Sequence, residues 1–207
     1  MEPNLPAIFL VSAIALLSPG PAVLAIISTA LSQDRLRALY LAAGVMTGSL
    51  MWSAAAAFGL GAIMFAHTWV FEAVRFFGGL YLLFLAYRSA RSALLHKELT
   101  VSRMNLSSPG AAYRKGLAVH LTNPKPVLFF GSLFALVVPA GSSPTTLLTV
   151  MATVAVPSAI AFFGYALIFS HGAIAAHYLR ARRWIEGMFA FAFGVFGLRV
   201  LTTRLGD

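Results

Sequence analysis

The sequence predicts an all-α integral membrane protein with six transmembrane helices, arranged as two inverted three-helix repeats in which helices 1 and 4 are broken. Hydrophobic residues make up 59% of the 207 residues and charged residues only 10%, far from the composition of a soluble domain. Six apolar stretches each reach the roughly 20 residues that a spanning helix needs. Two proline-containing patches, Ser18-Pro19-Gly20-Pro21 and Asn123-Pro124-Lys125-Pro126, interrupt the first and fourth stretches at an offset of 105 residues (18 to 123).

The predicted spans follow one another along almost the whole chain. They cover residues 7–31, 39–65, 70–94, 116–138, 145–169 and 184–201. The first is too long for a cleaved signal peptide and lacks its basic flank, so we expect it to be retained. We therefore predict one transmembrane transporter domain over 1–207, with repeat 1 at 5–94, a cytoplasmic linker at 95–111 and repeat 2 at 112–203. This leaves no room for a soluble catalytic domain, and we do not expect an enzyme.

The basic residues lie in alternate loops. Of the 15 Lys and Arg residues, 11 lie in the loops between spans 1 and 2, spans 3 and 4, and spans 5 and 6, if Arg88 and Arg91 in the last two turns of span 3 are included. The positive-inside rule places these loops in the cytoplasm and both termini outside. The basic residues behind the net charge of +9 then lie at the cytoplasmic surface of the membrane. Nucleic acid is not expected as a partner, because the loops do not interleave basic and aromatic residues.

The two proline patches are the candidate transport site. A proline inside a helix leaves backbone groups that hydrocarbon cannot satisfy, so interrupted segments in both halves indicate a cavity between them. Amide groups that begin a half-helix attract an anion, carbonyls that end the preceding half attract a cation, and a glycine lets a substrate approach closely. A zwitterionic amino acid carries both charges. The predicted substrate-binding residues are Ser18, Pro19, Gly20, Pro21, Asn123, Pro124 and Lys125.

Lys125 is the most informative residue of the second patch. It lies well inside span 4, where a lysine costs about 2.5–3.5 kcal/mol on insertion scales, so it is expected to face a cavity or a partner. Its predicted role is a carboxylate clamp or a proton carrier. The alternatives are a side chain that extends to the cytoplasmic edge, or one that caps carbonyls of the opposite break. Asn123 is expected to bond to the backbone of its own break.

His120 and Asp34 are candidates for a proton relay or a gate. His120 lies one helical turn before Asn123 and shares its face, which suits a relay, and a hydrogen-bonded neutral core histidine is an equal alternative. Asp34, between spans 1 and 2, is a candidate gate residue or ion-pair partner of Arg35 or Arg37. Its alternative is a solvated turn residue.

The carboxylates all lie at or near the ends of predicted spans. Glu186, just inside span 6, is expected to form an interfacial ion pair after Arg182 and Arg183 rather than to couple transport to protons. The sequence therefore shows no obvious acidic proton carrier.

Gly44 and Gly48 form a G-x-x-x-G pattern in span 2, which permits close helix approach. Packing inside the monomer is favoured over a dimer interface. The expected partners are a small-molecule substrate and the lipid bilayer, with a homodimer left open.

Two stretches resemble the signatures of a known family. "LLSPGPAVLAIISTALSQDRLRALYLAAGVMTGS" and "YRKGLAVHLTNPKPVLFF" are similar to LysE-type amino-acid exporters, including the threonine and homoserine exporter branch. "GGLYLLFLAY" in span 3 fits the same family. In two places the chain departs from it: His120 stands where a small polar amide is expected, and "FALVVPAG" lacks the common proline-glutamine-phenylalanine ending. The resemblance implies a small carrier of the inner (plasma) membrane that expels amino acids from the cytoplasm, driven by the proton gradient.

The sequence thus predicts a secondary active exporter of amino acids that works by alternating access, without a cofactor or metal. Few acidic residues lie in the spans, which favours neutral substrates over dibasic ones. The alternative is efflux of metal cations or other small metabolites by the same fold. Metal cations are disfavoured because His120 has no neighbouring ligands in sequence and Lys125 would repel them.

Overall fold

The computed structural model describes residues 3–17, 20–60, 68–94, 106–138, 141–171 and, with gaps at 185, 189, 192, 196, 199 and 200, residues 183–202. Within these ranges the secondary structure is helical, with no strand. The helices are α1 (Leu5–Leu17), α2 (Pro21–Ser32), α3 (Arg35–Ala54, continued by a π-helical segment, Ala55–Leu60), α4 (Thr68–Leu94), α5 (Pro109–Leu121), α6 (Pro124–Val137) and α7 (Pro144–Ile168). The described residues of 183–202 that follow are called the C-terminal helix.

Both predicted helix breaks are present. The first stretch is divided into α1 and α2, and the fourth into α5 and α6. Two described helices, Arg35–Gly59 and Pro144–Ile168, are long and apolar enough to cross a membrane, and Leu5–Leu16 with Pro21–Ser32, bent by 57°, would make a third. The all-helical, membrane-type fold is thereby confirmed, while the full set of six spans and their inverted arrangement stay predictions.

Local sequence determines where several helices begin. Ser108 and Ser143 accept hydrogen bonds from backbone N–H groups of the first turns of α5 and α7. A proline occupies the first turn of α2, α5, α6 and α7, where its missing N–H would have no partner in any case. Pro21 and Pro124, which lie in the two predicted breaks, therefore act as starts of new helices.

Helices α3 and α5 approach each other through glycines. A Cβ atom built on Gly44 would overlap the backbone oxygen of Tyr113, and one built on Gly116 would overlap that of Leu41. Gly48, one turn further along α3, lies against the side chain of His120. The glycine pattern in span 2 therefore packs inside the monomer, as predicted.

The broken helices pack on the long helices of the opposite half. Helices α1 and α2 contact α7, whereas α5 and α6 contact α3, and α3 also contacts α7. Helix α4 packs against α6. This packing brings the end of α1 and the start of α2 close to the end of α5 and the start of α6, so the two breaks face one interior region.

Adding a methyl group at the α3–α5 contact should destabilise the protein. For Gly116→Ala we expect a loss of about 1–3 kcal/mol, since an added group must force two backbones apart. Gly164→Ala is the matched control, because nothing lies within 4 Å of its Cβ position and alanine is the better helix former. Thermal unfolding of both variants in detergent measures the difference. An unchanged midpoint for Gly116→Ala would contradict the close approach.

Candidate functional site

The second break is a helix end followed by a new helix start. Helix α5 ends at Leu121, and the side chain of the buried Asn123 accepts a hydrogen bond of 3.0 Å from the backbone N–H of Lys125. Asn123 is thus the N-cap of α6, which satisfies one of the donors that a helix start leaves open. The expectation that Asn123 bonds to its own break is confirmed.

At the first break the N-cap residue, Gly20, provides no side-chain cap. Gly20 precedes α2 in an extended conformation, and Pro21 is the first residue of that helix. Ser18 and Pro19 lie outside the described residues. The N-terminal amides of α2 are therefore not covered by a cap from Gly20, and they present the positive end of the helix dipole to the region between the breaks.

Lys125 connects the two breaks. Its ammonium donates a hydrogen bond of 3.2 Å to the carbonyl oxygen of Ala15, in the last turn of α1. A Cβ atom on Gly20 would lie 3.2 Å from Cδ of Lys125, so the lysine side chain lies directly against the glycine. The ammonium binds a carbonyl at the negative end of α1. Of the roles considered for Lys125, capping carbonyls of the opposite break is the one that this structure contains.

A cavity of about 60 Å³ lies between the breaks. Its wall is mainly apolar, with aromatic rings from α6 and α7 on one side and small residues from α1 and α2 on the other. The lining residues include Ala15, Leu16, Gly20, Val23, Ser49, His120, Asn123, Lys125, Pro126, Phe129, Phe130, Ser158 and Phe162. Of the predicted substrate-binding residues, the cavity brings together Gly20, Asn123 and Lys125. Pro21 and Pro124 are exposed at the helix starts, and Pro126 contributes to the wall instead.

His120 lines the cavity as a buried ring, 4% exposed. Its edge meets the ring of Phe162, with centroids 5.9 Å apart. Neither ring nitrogen has a hydrogen-bond partner within the described part of the chain. Buried polar atoms are normally satisfied, so these nitrogens are available to a molecule that enters the cavity.

The arrangement suits a small ligand that has a carboxylate and an apolar body. The Lys125 ammonium and the start of α2 both attract a negative charge. The carbonyl end of α1 attracts a positive one, and the phenylalanine rings provide apolar contact. Sequence reasoning gave a carbonyl of the opposite break as one possible partner of Lys125, but it could not single out Ala15, because any residue provides the same backbone oxygen.

Asp34 is the N-cap of α3. Its carboxylate accepts a hydrogen bond of 2.8 Å from the backbone N–H of Arg37 and forms an ion pair with the Arg37 guanidinium. The backbone N–H and the guanidinium of Arg37 hold the pKa of Asp34 below its ordinary value, because both favour the ionised carboxylate. The predicted ion pair with Arg37 is therefore present, and it lies within one helix.

Glu186 is buried between helices, and the interfacial ion pair expected from the sequence stays a prediction. It is 4% exposed and accepts a hydrogen bond of 3.2 Å from the hydroxyl of Ser92 in α4. Its distance in sequence from both breaks gave no signal that it would lie in the protein interior.

The chain is similar in sequence to proteins of one known family. The LysE type translocator family model matches residues 13–204. The threonine efflux protein of Escherichia coli (strain K12) is 30% identical over 197 residues, which cover 94% of this chain and 96% of that protein. The leucine efflux protein of Enterobacter sp. (strain 638) is 27% identical over 168 residues, 81% of this chain and 78% of that protein. No solved structure matches the chain.

Two substitutions of Asp34 should separate the stability that its N-cap hydrogen bond contributes from the stability that its negative charge contributes. Asp34→Ala should lose about 0.5–2 kcal/mol, whereas Asp34→Asn should remain close to the wild type because asparagine caps equally well. Since the pKa of Asp34 is lowered in the folded protein, its ionic contribution is present above the ordinary carboxyl pKa and is lost as pH falls through the lowered value. Thermal unfolding at neutral and acid pH tests both points. Equal stability of Asp34→Ala and wild type would refute the cap.

Proposed function

Because this chain belongs to the LysE type translocator family, we propose that it exports neutral amino acids from the cytoplasm across the inner membrane, by alternating access and with the proton gradient as driving force. The observation that carries this proposal is Lys125, which extends from one helix break to the other at the edge of an interior cavity. The efflux of threonine and of leucine by relatives, as their names state, supports a neutral amino acid as the substrate class.

Lys125 would hold the carboxylate of the amino acid. In the structure its ammonium bonds to the carbonyl of Ala15, a neutral acceptor that a carboxylate outcompetes, since charge-assisted hydrogen bonds are roughly twice as strong as neutral ones. The start of α2 at Gly20 would bind the same group from the other side. The carbonyl released at the end of α1 then becomes an acceptor for the substrate ammonium.

Binding requires the helices around the cavity to separate. The cavity holds about 60 Å³, well below the roughly 300 Å³ or more of typical ligand sites. The substrate would replace the Lys125–Ala15 hydrogen bond, which joins α6 to α1. Loss of this bond frees the two broken helices to move apart, which connects binding to a conformational change.

The packing supports alternating access by two related halves. Helix α1 packs on α7, and α5 and α6 pack on α3, in each case the long helix of the other half, while α2 contacts both α3 and α7. A rigid-body rocking of one half against the other would open the cavity to one side while closing it to the other. The two breaks lie at the centre of this motion.

His120 is proposed as the proton relay. Its ring lines the same cavity, and both of its nitrogens lack partners among the described residues. Protonation of His120 would place a second positive charge beside Lys125. This charge would weaken binding of a cation and would change the electrostatic potential at the substrate carboxylate. Asp34 is proposed separately as a gate residue. Both partners of its carboxylate belong to Arg37 of the same helix. An efflux assay of Asp34→Asn tests the gate role.

The alternative of metal-cation efflux receives no support from the site. Within the described ranges no group of three or more His, Cys, Asp or Glu residues could hold a metal ion. The charged group that lines the cavity is a cation, and it would repel a metal.

Substitution of Lys125 should strongly reduce amino-acid efflux. Cells that lack their own exporters are loaded with dipeptides of threonine or leucine, and the appearance of each amino acid outside is measured. Lys125→Met should reduce the rate at least about tenfold, since loss of one buried charge-assisted contact costs roughly 1.5–3 kcal/mol. Lys115→Met, at an exposed position of α5, is the matched control and should export normally. Normal efflux by Lys125→Met would remove this residue from the mechanism.

Substitution of His120 should impair the coupling of transport to protons while substrate binding is retained. His120→Gln retains hydrogen-bonding groups but cannot carry a proton at neutral pH. In proteoliposomes we expect it to lose transport driven by a pH gradient while it still exchanges labelled threonine for unlabelled threonine. His171→Gln, at an exposed histidine after α7, is the control. Full gradient-driven transport by His120→Gln would exclude the relay.

A further inference from the structure

A second and larger space opens on the surface of the protein. It is a groove with a volume of about 760 Å³, which falls in the range of roughly 300–1,000 Å³ that is typical of ligand sites. Its walls come from α1, the end of α4 and the C-terminal helix. None of its described lining residues belongs to the cavity between the breaks, and the proposed transport mechanism does not use it.

The C-terminal helix contributes a continuous apolar stripe to the groove. Trp184, Met188, Phe191 and Val195 all line it, and their spacing places them on one face of a helix. The side chains of Trp184, Met188 and Phe191 are 78%, 72% and 75% exposed. At the helical rise the stripe is about 16 Å long, which is close to the roughly 15 Å that one leaflet contributes to the hydrocarbon core of a bilayer. The stripe therefore has the length of a lipid acyl chain.

Contacts with α4 and α1 define the two ends of the groove. Near the start of the C-terminal helix, Glu186 accepts a hydrogen bond from the hydroxyl of Ser92 at the end of α4. Further along the same helix, Phe193 belongs to the cluster against which Ile14 of α1 packs, and Ile14 lines the groove. The groove thus extends from the end of α4 toward α1 in the interior of the bundle.

A basic residue, Arg183, lies at the first of these ends. It lines the groove directly before Trp184, it is exposed, and its guanidinium forms no ion pair with the described residues. Arg91, also exposed, lies in the last turn of α4 at the same end. No described acidic residue lines the groove. Tryptophan beside arginine is typical of the headgroup level of a membrane, so the groove has a cationic mouth above an apolar wall.

We propose that this groove binds one anionic phospholipid, with its phosphate on Arg183 and an acyl chain along the stripe from Trp184 to Val195. A guanidinium binds a phosphate through two parallel hydrogen bonds. The headgroup of phosphatidylglycerol carries no ammonium that would oppose the arginine, so it is favoured over a zwitterionic headgroup. The positive-inside rule predicts that the mouth faces the cytoplasmic leaflet. The site does not depend on which molecule the protein transports.

The observations favour a lipid over a second copy of the chain. A two-fold interface along this stripe would bring Arg183 of both copies to the same membrane depth, where their charges repel. Helix pairs in membranes also associate through small residues that let backbones approach, whereas the stripe presents the large side chains of Trp184, Met188 and Phe191. Flexible acyl chains fill the space between such side chains without this requirement.

Quenching of tryptophan fluorescence by phospholipids with brominated acyl chains tests the site in the full chain. The protein is reconstituted in phosphatidylcholine vesicles that contain increasing fractions of brominated phosphatidylglycerol, and a parallel series contains brominated phosphatidylcholine. The chain has three tryptophans, so the difference between the wild type and Trp184→Phe isolates the signal of Trp184. We expect the affinity at Trp184 to be about fivefold higher for phosphatidylglycerol, which corresponds to the roughly 1 kcal/mol that one basic residue contributes near anionic lipid.

Substitution of Arg183 separates a built site from the general attraction of a basic protein for anionic lipid. Arg183→Gln should bring the affinity ratio close to one, because the phosphate loses its partner. Arg114→Gln, at an exposed position of α5, removes the same charge elsewhere and should retain the preference for phosphatidylglycerol. An undiminished preference in Arg183→Gln would overturn the proposal.

Filling the groove tests where the acyl chain lies. Gly187 lines the groove, and nothing lies within 4 Å of its Cβ position, so Gly187→Leu adds a side chain there without displacing a neighbour. Titration of phosphatidylglycerol into the detergent-solubilised protein should raise the thermal unfolding midpoint, because a ligand of the folded state stabilises it. For Gly187→Leu we expect the apparent affinity in this titration to fall at least about fourfold, the equivalent of one methylene group left unburied. Gly164→Leu, with equally open space at its Cβ position, is the control and should titrate as wild type.

Three other outcomes would overturn the proposal. Equal affinity of phosphatidylglycerol and phosphatidylcholine at Trp184 would mean that only ordinary boundary lipid covers the groove. Absence of quenching of Trp184 by either lipid would mean that protein covers it, and a second copy of the chain would then be the occupant. An unchanged titration of Gly187→Leu would mean that the lipid binds outside the groove. None of these measurements requires transport of an amino acid, so the proposed function and the lipid site can fail independently.

Discussion

A positive charge inside an apolar helical bundle must be surrounded by oxygen atoms, and the interior of this protein is organised around that requirement. The ammonium of Lys125 reaches from the start of α6 to the carbonyl of Ala15 at the end of α1, and its side chain lies against Gly20. One hydrogen bond thus holds together two helices that are each interrupted. Because the acceptor is a backbone carbonyl and not a carboxylate, the bond is strong enough to order the site and weak enough for an anionic ligand to replace it.

The small residues around this contact have a shared physical role. Gly44 and Gly116 let the backbones of α3 and α5 meet, which brings His120 and the second break to the centre of the molecule. Gly20 leaves space for the lysine side chain. Larger residues at these positions would move the helices apart and carry Lys125 away from α1. The chemistry of the proposed site therefore depends on close helix packing beside the cavity, since Gly116 lies about one turn before the lining residue His120.

Much of the local structure follows directly from the sequence. The two proline patches predicted breaks, and helices end at Leu17 and Leu121 and begin again at Pro21 and Pro124. Asn123 was expected to satisfy its own break, and it caps α6. An ion pair of Asp34 with Arg35 or Arg37 was one of the expected alternatives, and Asp34 binds the backbone and the side chain of Arg37. Each of these features depends on residues two to four positions apart, where the geometry of the chain leaves few alternatives.

The sequence by itself determined a helical membrane protein of the LysE type with two broken helices and a lysine at the second break, because composition, proline positions and short-range spacing are properties of consecutive residues. Only the tertiary structure decided that Lys125 would bind the carbonyl of Ala15 and that Glu186 would be buried against Ser92 of α4. Backbone oxygens carry no sequence signal, and contacts between residues distant in sequence depend on how helices cross. The close contacts at Gly44 and Gly116 fix that crossing for α3 and α5.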